Sequence, residues 1–192
     1  MADGPSNVVA TDLGPAGNAD VASAVDVPEV PKLSFAISGA AEGSYVDMSG
    51  STLPQANRFA VQVRVHDVKG LLGIAAHLRH DPKKLRYISG TAGDLLKGLG
   101  YSQMTLIDEK PAGRLLLGAA RFRVQVPDDI GQDELYGKTI TVRSWARLVY
   151  EVLEPGSHEL YFDPNSTTAR SADGNFIALA WTQLTVTTPE AP

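Results

Sequence analysis

Alternation between apolar and polar positions is the dominant signal along the chain. It is cleanest over residues 58–66, where Phe59, Val61, Val63 and Val65 point one way and Arg58, Ala60, Gln62, Arg64 and His66 the other. That period of two is what a half-buried strand imposes, and it predicts that the second face is solvated. The same period places a first strand over residues 32–38, with Leu33, Phe35 and Ile37 on one side. Further strands are predicted over 72–80, 85–89, 103–107 and 114–126, the last apolar enough to lie deep in a sheet. Asp81-Pro82 ends the strand before it, because the residue preceding a proline is held out of helical geometry and proline cannot donate to a ladder. Residues 94–97 hold at most one helical turn, and 45–48 read as part of a Gly/Ser-containing connection.

Residues 138–153 form the longest run. Ile140, Val142, Ala146, Leu148, Tyr150 and Val152 share one parity, and Thr139, Thr141, Arg143, Trp145, Arg147 and Glu151 share the other. Such a length exceeds an ordinary strand, so a bulge or bend is expected inside it. Pro155-Gly156 then turns the chain into a strand over 159–163, Asp173-Gly174-Asn175 is a hairpin signal before 176–182, and 184–186 closes the domain. The expectation is an all-β domain, a nine- or ten-stranded two-sheet sandwich with jelly-roll topology.

Composition sharpens this reading at a few points. Residues 1–31 lack Lys, Arg and aromatics and contain four prolines, so they read as a flexible acidic leader ahead of a domain over 32–187, with 188–192 as a tail. The leader has neither the basic start nor the apolar stretch of a secretory signal. No run of about 18 apolar residues occurs, which excludes a membrane-spanning helix. The 192 residues include no cysteine, which excludes disulfides, thiolate metal sites and cysteine catalysis. A net charge of −5 argues against generic attachment to nucleic acid or an anionic membrane. The charge is uneven, however: −6 over residues 1–56, +7 over 57–123 and −6 over 124–192. A basic middle third fits either a surface for an acidic partner or the polar faces of successive strands.

Chemistry is sparse. Nucleophile-elbow, phosphate-loop and dinucleotide motifs are missing, so no catalytic residue and no cofactor is assigned. His77 and His80 fall on opposite faces of one strand, which keeps them from sharing a metal, and no metal site is assigned. Acid pairs such as Asp128/Asp129 read as loop solvation, and residues 163–173 lack the alternating acids of a calcium loop. Two binding candidates remain. Arg143, Trp145 and Arg147 share a parity, and a tryptophan between two arginines on an open sheet would stack on a sugar ring or a partner side chain, unless the protein's own loop caps it. Ala75, His77 and Arg79 form the outer side of the 72–80 strand.

The stretch from Val61 through His66-Asp67-Val68-Lys69-Gly70 to Gly73, followed by His80-Asp81-Pro82-Lys83-Lys84-Leu85, resembles the front half of cohesin domains. Ala92-Gly93-Asp94, Gly113-Arg114-Leu115, Gly137-Lys138-Thr139-Ile140, residues 157–162 and residues 172–177 resemble later parts of the same series, with His80 where that family has tyrosine. Cohesins are nine-stranded jelly rolls that hold dockerin modules in cellulose-degrading assemblies. The resemblance implies a noncatalytic module that receives a protein partner, dockerin-like or other, on the sheet containing Ala75, His77 and Arg79, in an extracellular or envelope setting. Two other readings are a carbohydrate-binding module that uses Trp145 on a polysaccharide, and a structural subunit of a filament or virion assembled through the leader.

Overall fold

The computed structural model of the chain describes residues 32–39, 42–55, 57–97, 101–123 and 139–189. The leader over 1–31 and the acidic connector over 128–134 lie outside the described residues. The described residues form eleven strands: β1 (Ser34–Ser38), β2 (Tyr45–Thr52), β3 (Arg58–Lys69), β4 (Leu71–Arg79), β5 (Leu85–Ala92), β6 (Tyr101–Glu109), β7 (Arg114–Arg123), β8 (Thr139–Val152), β9 (Ser157–Ser171), β10 (Ala180–Trp181) and β11 (Gln183–Thr187). They build two facing sheets. One has six strands in the order β1-β11-β9-β4-β7-β6 and the other five in the order β10-β2-β3-β8-β5. Every pairing is antiparallel except that of β10 with β2.

The inward parity of β3 behaves as the alternation predicts: Phe59, Val61, Val63 and Val65 are buried. They meet Leu78, Leu115, Leu117, Leu160, Leu184 and Val186 from the opposing sheet in one core, with Leu33, Leu95 and Leu96 packed into the same cluster from outside the strands. Each such side chain contributes about 1.5–3 kcal/mol by leaving water. The outer face of β3 is less solvated than expected, since Ala60 and His66 are buried on it.

Three elements depart from the sequence reading. The first is β2, which runs over a connection that lacks clean alternation. Its backbone pairs with β3 from Tyr45↔His66 to Thr52↔Phe59, while Val46 and Met48 reach the core. The second is β9, which continues to Ser171 instead of stopping at 163. Asp163-Pro164-Asn165 is extra chain in its pairing with β4, where Ala76 faces Thr167 but Leu78 faces Phe162. The third is the run over 176–182, of which only Ala180–Trp181 is strand. At the end of the chain, Thr188 is not tail. It is buried, its N–H donates to the Gly156 carbonyl at 3.0 Å, and its hydroxyl closes the same loop.

Candidate functional site

The bulge expected in the long strand falls at Trp145. Val63 pairs with Ala146 and Arg64 with Ser144, so the pairing of β8 with β3 skips Trp145 as an extra residue at the register shift. An extra residue reverses parity from that point, and the indole turns inward. It is 1% exposed and lies parallel to Phe162, 6.4 Å between centroids and 8° between planes. Trp181 completes the aromatic cluster. The expected Arg143–Trp145–Arg147 platform therefore does not form. Arg143 donates to the carbonyls of Asp94 and Lys97 at 3.2 and 2.9 Å, holding the turn after β5, and Arg147 alone stays exposed on the outer face. Nor does the basic middle third gather into one surface. Arg64 pairs with Asp47, Arg79 with Asp163, and Arg86 with Glu151, all three acids lying outside that third.

Ala75, His77 and Arg79 stand where parity placed them, on the outer face of β4, which is central in the six-stranded sheet. Register then lays down their neighbours. Gly73 faces Ala120, Ala75 faces Gly118 and Thr168, His77 faces Leu116, and Arg79 faces Arg114. On the next strand Met104 faces Ala120 and Leu106 faces Gly118. Small residues along the middle keep the backbone low, and the large side chains beside them are left in water: Met104 is 62%, Leu106 48% and Phe122 51% exposed. The result is an open depression of about 480 Å³, bounded by Gly73, Ala75, Met104, Leu106, Gly118 and Ala120 among others.

Its ends are polar. Arg79 reaches Asp163 through Nε at 3.2 Å and an Nη at 2.8 Å, and the guanidinium holds that carboxyl below the usual carboxylate range. Arg114 lies 3.0 Å from Nδ1 of His77. A guanidinium can only donate, so Nδ1 is the acceptor and the ring is neutral. Partial burial, then the positive charges of Arg114 and Arg79, lower the pKa of His77. At the opposite end Arg170 donates to the Gly174 carbonyl at 2.9 Å and covers the ring of exposed Phe176 at 4.0 Å.

The outer face of the other sheet has a different character. Asp47 accepts two hydrogen bonds from Arg64, at 3.1 and 2.7 Å, and lies 3.1 Å from His66, which stacks on Tyr45. Gln62 donates to Ser144, and Glu151 takes both Arg58 and Arg86. Several of its charges are paired with one another across neighbouring strands. Among the described residues no group of three or more His, Asp or Glu side chains is placed to hold a metal ion.

Met104, Leu106, Leu116 and Phe122 were not candidates in the sequence, because an apolar residue on a strand reads as core. The available signal was residues 115–120, apolar on both parities. That is unusual for an antiparallel strand with one wet face.

No protein-family model matches the chain, nor does any curated protein sequence. Solved structures do match, and they define the class. The second type II cohesin module of the adaptor scaffoldin of Acetivibrio cellulolyticus superposes with a TM-score of 0.58 at 18% identity, covering 79% of this chain and 92% of that one. A cohesin in a type II cohesin–X–dockerin complex from the same organism gives 0.55 at 18% identity, covering 72% and 94%. A cohesin module from a Clostridium perfringens family 33 glycoside hydrolase gives 0.50 at 7% identity, covering 76% and 96%. The chain is therefore a cohesin-like domain in fold, as the residues from Val61 to Leu85 anticipate. At these identities the likeness is one of architecture.

Proposed function

We propose that the chain is a noncatalytic protein-binding module whose partner, dockerin-like in kind, docks on the outer face of the six-stranded sheet around Ala75. The observation that carries this reading is the apolar depression itself. Contiguous apolar surface of this kind costs solubility unless something covers it, and here it sits on a rigid sheet with polar groups at both ends. That is the anatomy of a binding patch: a dry centre and a polar rim. A preformed sheet face also loses little conformational freedom on docking, which leaves more of the contact energy as affinity. One structural neighbour was solved together with a dockerin, which supports a protein in this role. The same proposal sets the module in an extracellular or envelope assembly, in keeping with the cellulosomal sources of several neighbours.

The polysaccharide reading loses its anchor, since Trp145 lies in the core. The test is retention of proteins from the source organism on the immobilised domain and on an Ala75→Glu variant with the same circular dichroism. A protein held by the native face and released by the carboxylate supports the proposal. Equal retention by both removes it.

A further inference from the structure

Among the described residues the two sheets have four edge strands, and three of them are unfit for pairing with another chain. β1 spans five residues, β10 spans two, and β5 carries a register shift between Tyr87 and Ser89. Short edges and bulges are the devices that keep sheets from joining edge to edge. β6 has none of them. It is nine residues long, its pairing with β7 runs without a shift from Tyr101↔Arg123 to Glu109↔Leu115, and residues 101–107 contain no charge, no proline and no glycine. Among the described residues no strand pairs with its other side. The middle of the strand is bare on both parities, since Met104, Thr105 and Leu106 are all exposed. β5, which approaches from the other sheet, pairs with β8 and leaves that stretch uncovered.

We propose that two copies of the chain join through β6, antiparallel, about a twofold axis at Thr105. An identical strand suits this edge because the register centred there is self-complementary. Thr105 meets its own copy, Met104 of each chain meets Leu106 of the other, and Ser102 meets Asp108. Apolar pairs, threonine pairs and hydroxyl–carboxylate pairs are favourable cross-strand neighbours, and no like charges are set opposite one another. Centring one residue earlier would set Leu106 against Ser102 and forfeit both Met–Leu pairs. The axis is normal to the sheet, so the two six-stranded sheets become one of twelve and both outer faces point the same way. The exposed Met104 and Leu106 of each copy then form a single apolar strip between the two depressions. The dimer uses the edge of the sheet and partner docking the face around Ala75; Met104 and Leu106 belong to both, and the Ala75→Glu variant separates the two.

The chain has no cysteine, so one introduced thiol reports on its own copy alone. In the proposed register the two Cα atoms at position 105 lie about 4.5–5.5 Å apart, within disulfide reach. Those at position 102 are six residues out of step, about 20 Å apart. Thr105→Cys is expected to cross-link rapidly into a covalent dimer on mild oxidation, and Ser102→Cys is not. Sedimentation of the native chain is expected to show a monomer–dimer equilibrium. Thr105→Lys, which brings two ammonium groups together at the axis, abolishes the dimer without changing circular dichroism, and Ala75→Glu leaves it intact. A native chain that stays monomeric across a wide concentration series overturns the proposal. So does a dimer that survives Thr105→Lys, or equal cross-linking at 102 and 105.

Discussion

Trp145 lies flat against Phe162, and this contact joins the sheet that contains β8 to the one that contains β9. A single extra residue on β8, at the register shift opposite Val63 and Arg64, produces it by turning an outward position inward.

Trp145→Ala is accordingly a core mutation. Truncation of a large buried aromatic typically costs about 3–5 kcal/mol, and urea denaturation is expected to show a loss of that size. Per folded molecule, partner retention should be unchanged, as the depression around Ala75 lies on the outer side of the other sheet. Wild-type stability together with lost polysaccharide retention would restore the sugar-binding reading.

Gly113 sits under two constraints at once. Its φ is +81°, and a Cβ added there would lie 2.7 Å from the carbonyl oxygen of His80. Gly113→Ala should cost about 2 kcal/mol or more, from left-handed strain together with a backbone clash. The measurement is the shift in denaturation midpoint. A shift within about 0.5 kcal/mol, the range of ordinary surface changes, would mean that this turn yields easily.

His80 lies beside the same turn, fully buried against the edge of Tyr150, with Nε2 3.2 Å from Glu109 Oε1. Burial lowers its pKa below the ordinary 6.5, outweighing the opposite pull of Glu109 and Asp81. The folded state thus holds a neutral ring that the unfolded chain protonates more readily. The resulting stability is complete above pH 6.5 and is lost as pH falls from there towards the depressed folded value. His77, lowered for related reasons, acts in the same direction. The lowered carboxyl of Asp163 contributes in a separate and more acidic window, below its ordinary 3.8. Denaturation from pH 7 to pH 5 should therefore show falling stability, with a shallower slope in His80→Gln. An unchanged slope in that variant would assign the acid sensitivity elsewhere.

Much of the fold was legible because residues 59–65 of β3 and 73–79 of β4 alternate in sequence, and parity alone put Ala75, His77 and Arg79 on an outer face. Parity failed where the chain gains a residue. Nothing in residues 138–153 says whether the bulge falls before or after Trp145, and that choice decides whether the indole is platform or core. β2 was hidden because Ser49-Gly50-Ser51 gives no apolar beat, and its pairing comes from β3. The second half of β9 was hidden by Asp163-Pro164-Asn165, which reads as a stop yet is absorbed as extra chain opposite β4. Met104 and Leu106 became site residues only when the strand order made β6 an edge, and that order is set by contacts between residues far apart in sequence.

The central claim is that a protein partner settles on the outer face of the six-stranded sheet. Its most direct test is an amide chemical-shift map of the labelled domain, titrated with a protein that the domain retains. The account predicts shifts concentrated at Gly73, Ala75, His77, Gly118 and Ala120, with Asp47, Gln62 and Arg64 on the opposite sheet unmoved. Shifts gathered around Asp47 and Arg64, with the Ala75 neighbourhood silent, would contradict it.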